Sequence, residues 1–397
     1  MNNDNSSSVL VVGTYCGLNK GDRLMQEVTI NAVLENKLVP LLASPFPKID
    51  KTLYPNTEVV KCGRRNIPAS FGKCVLMWLM PFSLRKMYAR KNLELNDYVN
   101  AKYIIDTSGD MLTEDYGIHV ALSHLMPLIY CILLKKKFLI LAQSIGPFKK
   151  IGYIFDKVLS KATNISTRDE ITFKYLSKRG LSNLVDAADL GFLLPSKEYN
   201  SGDLNEFMLR QKKIIIGICP SALFFKKFAK SIPEINIKNF CLMLDEIANE
   251  NNAAFVFLPH VMTPNGKLDD SMFSDQLMKN INAECMVVDS DLSPAEIKSV
   301  IATFDCMVSF RMHGSIAALD SFVPTITISY SHKTRGLYEK MGLIEWVVEC
   351  DSDMNFNLGV KMTELIKKSS EISDYLESVI PAIREQSEIN IELIKSM

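Results

Sequence analysis

The stretch from Asp305 to Gly342, DCMVSFRMHGSIAALDSFVPTITISYSHKTRGLYEKMG, constrains this chain more than any other. Its first residues are a short apolar run ending at Phe310, which reads as a buried strand, and Arg311 and His313 stand where that strand stops. A helix follows at once, with Gly314 and Ser315 in its first turn and Ile316, Ala317 and Leu319 as its apolar stripe. Pro324 opens a second strand, Thr325 to Tyr330, which runs out at His332 and Lys333. In open α/β sheets ligands bind at the carboxyl ends of strands, where helix N-termini present unpaired N–H groups and a partial positive charge. One guanidinium, two imidazoles and one ammonium therefore gather at two neighbouring strand ends. That set suits a small, highly charged anion with a proton donor beside it. Taken singly, Arg311 reads equally well as an interior arginine paired with a carboxylate, and His313 as a capping histidine. An Arg311 guanidinium far from the His313 imidazole, or turned inward against an acid, is the arrangement that would count against the enzyme reading.

The same alternation of strand and helix runs through the rest of the chain. Strands are expected at Val9 to Gly13, Pro40 to Ala43, Glu58 to Lys61, Tyr103 to Asp106, Phe138 to Ala142, Ile165 to Thr167 and Leu184 to Ala187. A polar stretch, Lys197 to Gln211, reads as a linker. Strands resume at Lys213 to Cys219, Ala253 to Leu258 and Met286 to Val288. The sequence Ser293-Pro294-Ala295-Glu296 is a capping box that fixes the start of the next helix. The expected architecture is α/β: two Rossmann-like, doubly wound domains facing across a cleft, over residues 8–196 and 212–350, with C-terminal helices over 351–397 bracing them.

Polar clusters recur at the strand ends. Asn19 and Asp22 open the first helix, Ser108-Gly109-Asp110 follows the strand at 103, Ser144 lies in the turn QSIGPF, Arg168 and Asp169 follow the strand at 165, and His260 ends the run FLPH. Arginine forks hold carboxylates and phosphates best, so Arg168 and Arg311, with Lys333, suit a ligand carrying both groups. His260, His313 and His332 are the candidate proton donors. No GxGxxG, Walker lysine, GxSxG, HExxH or metal-ligand run occurs, which sets aside dinucleotide, nucleotide-triphosphate, serine-hydrolase and zinc readings.

With 45 Lys and Arg against 45 Asp and Glu, the chain has no net field to gather nucleic acid, and none is expected as a partner. Nine cysteines without a CxxC pair read as buried thiols in a reducing compartment. No secretory leader or membrane-spanning run is seen, so a cytoplasmic protein is expected. The segment FGKCVLMWLMPFSLRKMYAR, residues 71–90, is apolar and flanked by Arg64, Arg65, Lys73, Arg85, Lys86 and Arg90. Its favoured reading is a core helix broken at Pro81, and the alternative is a peripheral contact with the inner face of the cell membrane.

The segments NKGD (19–22), SGD with EDYG (108–117), QSIGPF (143–148), STRDEIT (166–172), ADLGF (188–192), FLPH (257–260) and FRMHGSIAAL (310–319) with YSHK (330–333) resemble, in order, the polysaccharide pyruvyl transferase family. The RxH motif followed by a proline-led strand and lysine is the most specific of these. The resemblance implies a GT-B-like fold and transfer of the enolpyruvyl unit of phosphoenolpyruvate to a sugar as a pyruvate ketal. It implies a galactose-type or other hexose acceptor, free or lipid-linked, and no metal or redox cofactor. On that reading His313 is the general acid, Arg311 and Arg168 are anion clamps, and Lys333 contacts phosphate. Asp110 or Asp22 activates the sugar hydroxyl, with Asn19, Ser144, His260, His332, Gly314 and Ser315 lining the site. The alternatives are a nucleotide-sugar glycosyltransferase of the same fold, with Glu296 or Glu339 near a diphosphate, and a non-catalytic anion- or glycan-binding protein.

Overall fold

Every apolar run forecast as a strand is one, and each pairs in parallel with its neighbours. The structure, a computed structural model, describes residues 7–61, 67–210, 212–228, 230–330 and 332–397. Arg64, Arg65 and the side chain of His332 lie outside the described residues. One sheet contains β1 (Ser8–Val12), β2 (Val39–Ser44), β3 (Glu58–Lys61), β4 (Tyr103–Asp106), β5 (Phe138–Gln143), β6 (Asn164–Thr167) and β7 (Leu184–Asp186). Its strand order is β3-β2-β1-β4-β5-β6-β7. The other contains β8 (Ile214–Cys219), β9 (Ala253–Phe257), β10 (Cys285–Val287), β11 (Cys306–Ser309), β12 (Thr325–Ser329) and β13 (Val347–Glu349), in the order β10-β9-β8-β11-β12-β13.

Each sheet is the doubly wound kind. All residues of β1, β9 and β12 are buried, as strands covered by helices on both faces must be. The order reverses beside β1, which pairs with β2 and β4, and beside β8, which pairs with β9 and β11. Crevices at such reversal points are where open α/β sheets take ligands.

The chain divides into two units. Unit 1 holds the residues up to Gly17, Met25–Leu193 and Glu385–Met397; unit 2 holds Leu18–Leu24 and Leu194–Arg384. In unit 1, Leu10, Ile104 and Ile140 of the strands pack with Leu125, Leu128 and Phe155 from the covering helices. In unit 2, Ile215, Val256 and Met307 pack with Ile297, Val300 and Ala318. The first five residues of helix Lys20–Glu35, with Leu18 and Asn19 before them, thus belong with the second sheet.

Two local expectations are corrected, and one strand was not forecast. The stretch 197–211 carries a helix, Gly202–Arg210, whose Leu204 is buried in the unit 2 core with Phe207 and Met208 packed against it, so a mostly polar run still presents an apolar face. β13 is too short to show a period of its own. The segment at 71–90 is two helices, Ile67–Leu79 and Phe82–Lys91, broken at Pro81 as its missing N–H requires. Of its apolar residues Cys74, Met77 and Ala89 are buried in the core and Tyr88 packs against it, while most of the others face solvent.

Candidate active site

The reversal point of the second sheet lies between β8 and β11. Ser309, the last residue of β11, folds the chain over on itself: its Oγ donates to the Arg311 carbonyl at 2.7 Å and accepts from the Arg311 N–H at 3.2 Å. Arg311 is the extended residue before helix Met312–Asp320. Gly314 lets that helix approach the strand ends, since a Cβ there would meet Ser309 Oγ at 2.8 Å and Cys219 Sγ at 2.9 Å. Ser315 is fully buried and its hydroxyl donates to Thr327 Oγ1 on β12 at 3.1 Å, so it braces the helix and does not face a ligand.

Arg311 does not stand free. Its Nε donates to Asp270 Oδ2 at 3.0 Å and its Nη2 to Asp270 Oδ1 at 2.7 Å. The same carboxylate accepts from the Ala222 N–H at 3.0 Å and the Val261 N–H at 2.9 Å. Asp270 is 0% exposed and the Arg311 side chain 12%. A guanidinium whose fork is taken by a buried acid is not an open two-pronged anion clamp, and that expectation is corrected here. The pair instead pins the carboxyl ends of β8, β9 and β11 together, with only Nη1 left outside the fork.

His313 follows two residues on, half-buried, with its ring against the start of helix Lys20–Glu35: a Cβ on Gly21 would lie 2.3 Å from His313 Nδ1. The segment is tied down by three backbone links. Asn19 bridges antiparallel to Val261, the Lys20 N–H donates to the His260 carbonyl at 3.0 Å, and the Met262 N–H donates to the Leu18 carbonyl at 3.2 Å. Asn19 Oδ1 accepts from the Gly21 N–H at 3.0 Å, so Asn19 shapes the turn. Asp22 sits in the helix's first turn. His260 is 3% exposed, and among the described residues neither of its ring nitrogens has a hydrogen-bond partner. Burial first, and then the charges of His313, Arg311 and Lys20, hold its imidazole well below the ordinary value, so it is neutral at pH 7. Lys333 is buried in the first turn of helix His332–Lys340, at the end of β12.

The remaining candidates lie in unit 1. Arg168 is buried, with Nη1 on Asp189 Oδ2 at 2.7 Å and Nε on Ser144 Oγ at 2.9 Å. Ser144 in turn donates to Asp169 Oδ2 at 2.7 Å, and Asp169 caps helix Glu170–Lys178 through the Thr172 N–H. Arg168 and Ser144 therefore form an internal network that joins β5, β6 and the 189–191 turn, because burial of an arginine demands a carboxylate partner. Their assignment to a ligand is corrected. Asp110 is half-buried after β4 and accepts from the Tyr116 hydroxyl at 2.6 Å. The structure thus brings together His260, Arg311, His313, Asn19 and Asp22. It adds two residues that sequence reasoning passed over, Lys20 and Asp270. Of the carboxylates weighed for a nucleotide diphosphate, Glu296 is spent on its capping box with Ser293 and on Lys197, and Glu339 on Arg335.

Known proteins resemble this chain at two levels. In fold, the S. aureus protein MnaA, solved with UDP, superposes with a TM-score of 0.60 at 9% identity, over 93% of this chain and 90% of that one. A UDP-glucosyltransferase from Polygonum tinctorium gives 0.58 at 9% identity, over 98% of each chain. Such likenesses place the fold in the GT-B-like class. In sequence, the amylovoran biosynthesis protein AmsJ of Erwinia amylovora is 20% identical over 98% of this chain and 99% of its own length. The polysaccharide pyruvyl transferase family model matches residues 49–332, from before β3 through the RxH motif to the end of β12 and beyond. With well over half its length matched, this chain belongs to the polysaccharide pyruvyl transferase family.

Proposed function

We propose that the chain transfers the enolpyruvyl unit of phosphoenolpyruvate to two hydroxyls of a hexose in a polysaccharide or its repeat-unit precursor, forming a pyruvate ketal. The observation that supports this reading is the half-buried His313 held against Gly21, with the neutral imidazole of His260 and the charges of Lys20 and Arg311 around it. A proton donor set among cations is what protonation of a bound anionic enol ester needs.

His313 gives its proton to the methylene carbon, which becomes a methyl group. The adjacent carbon turns electrophilic and bonds to the oxygen of one sugar hydroxyl. Asp22, in the same helical turn as Gly21, is assigned to receive that hydroxyl's proton. The bond from this carbon to the phosphate oxygen then breaks, and phosphate leaves with the bonding electrons. The second hydroxyl closes the ring. Asp22 passes the first hydroxyl's proton to the departing phosphate, and the second hydroxyl's proton restores His313. Arg311 is a positioning residue that offers Nη1 to the anion, while Lys20, and Lys333 on the neighbouring strand end, supply charge. Asp110, bonded to Tyr116, is given no step.

The test is phosphate release by the purified protein from phosphoenolpyruvate with a β-galactoside acceptor. His313→Ala should lower the rate by about 10²–10⁴-fold, the range of a lost general acid. Undiminished release in that variant would remove the assignment. Thermal stabilisation by UDP and none by phosphoenolpyruvate would favour a nucleotide-sugar donor instead.

A further inference from the structure

Helices Ile67–Leu79 and Phe82–Lys91 carry an outward face that water does not favour. Their inward positions are filled by Ser70, Cys74, Met77 and Ala89, all buried. On the outside stand Phe71, Trp78, Leu79, Phe82, Leu84 and Met87, with Trp78 and Leu79 each 68% exposed. Apolar side chains concentrated on one pair of consecutive helices mark an interaction surface far more often than scattered ones do.

The charge on these helices says what that surface meets. Between Ile67 and Lys91 there are five Lys or Arg and no Asp or Glu, in a chain whose total charge balances at 45 against 45. Arg85 spans the break, donating to the Met80 carbonyl at 2.8 Å and the Trp78 carbonyl at 3.1 Å. Lys73 is engaged by Glu94, while Lys86, Arg90 and Lys91 are exposed. The Lys135 ammonium lies 4.7 Å from the centroid of the Phe82 ring, which adds one more cation beside the helices. A second copy docked through the same face would bring like charge against like. Among the described residues no helix is long and apolar enough to cross a membrane. Bulky apolar tips ringed by cations on helices too short to span are the chemistry of an interfacial anchor.

We infer that this helix pair docks the protein on an anionic phospholipid bilayer, with Trp78 and Leu79 entering the headgroup region and Lys86, Arg90 and Lys91 meeting lipid phosphates. The inference does not depend on the donor or on any step of the reaction. The full chain should co-sediment with vesicles of phosphatidylglycerol and phosphatidylcholine, release in high salt, and stay in the supernatant with phosphatidylcholine alone. Reversing three cations with Lys86→Glu, Arg90→Glu and Lys91→Glu should weaken binding on the order of a hundredfold or more, as three lost phosphate attractions require. Trp78→Ser with Leu79→Ser should also abolish co-sedimentation, and because both side chains are exposed the variant should keep the parent's thermal melt. The chain has two tryptophans and Trp346 is buried, so a blue shift of emission on anionic vesicles reports Trp78. Wild-type protein left in the supernatant with anionic vesicles would overturn the inference. So would unchanged partitioning of either variant, or an oligomer that Trp78→Ser and Leu79→Ser dissolve without any vesicle binding by the parent.

Discussion

Arg311 and Asp270 meet edge to edge, Nε to Oδ2 at 3.0 Å and Nη2 to Oδ1 at 2.7 Å, and the same carboxylate closes the N–H groups of Ala222 and Val261. Removing the acid leaves a guanidinium and two amides without their acceptor. Asp270→Ala should lower the unfolding free energy by about 3–5 kcal/mol, the usual loss when one partner of a buried pair is deleted. Urea denaturation monitored by circular dichroism measures it. A loss near zero would mean that the pair does not hold the strand ends together.

Gly21 touches His313 so closely that even a methyl group has no room, with the built Cβ 2.3 Å from Nδ1. Gly21→Ala should displace the imidazole and cut turnover by about 10²-fold, as a misplacement of the order of an ångström does. The imidazole's NMR shifts should move with it, while the urea midpoint should change little. Retained turnover together with moved shifts would separate His313 from the chemistry.

His260 makes the fold sensitive to acid. Its pKa lies well below 6.5 in the folded chain and near 6.5 unfolded, so between those values the unfolded state binds more protons. Stability is then full above pH 6.5 and falls as the pH drops toward the folded value, by at most about 1.4 kcal/mol per pH unit from this one group. His260→Gln should remove that part of the slope. Unfolding curves at several pH values from 7 to 5 compare the two, and parallel slopes would show that His260 is not the group responsible.

Arg168 should behave as a structural residue. Arg168→Ala breaks its pair with Asp189, both buried, and should lower stability by about 3–5 kcal/mol. The KM of the folded fraction for phosphoenolpyruvate, the proposed donor, should stay within about twofold, because uniform binding is lost only when a ligand contact is. A KM rise of an order of magnitude would return Arg168 to the ligand.

The strands were legible because buried parallel strands announce themselves locally, as unbroken apolar runs such as KIIIGIC before Pro220 and DCMVSF before Arg311. The RxH turn was legible for the same reason, since strand, turn and helix are neighbours in the chain. What each cation faces was not. Asp270 lies 41 residues before Arg311 and Asp189 lies 21 after Arg168, and only the crossover helices decide that they meet. Lys20 reaches the site through a backbone bridge from Asn19 to Val261, which carries no side-chain pattern to read. Residues 71–90 were misjudged because an apolar run has the same composition whether it faces core or solvent.

The outermost strands of both sheets are stubs: β3 has four residues and begins and ends in charge, and β7, β10 and β13 have three each. A stub offers a stranger's backbone too few open N–H and C=O groups to grip. The margins are thereby blunted against fibril-like stacking, and self-association of this protein, where it occurs, has to be built from side chains.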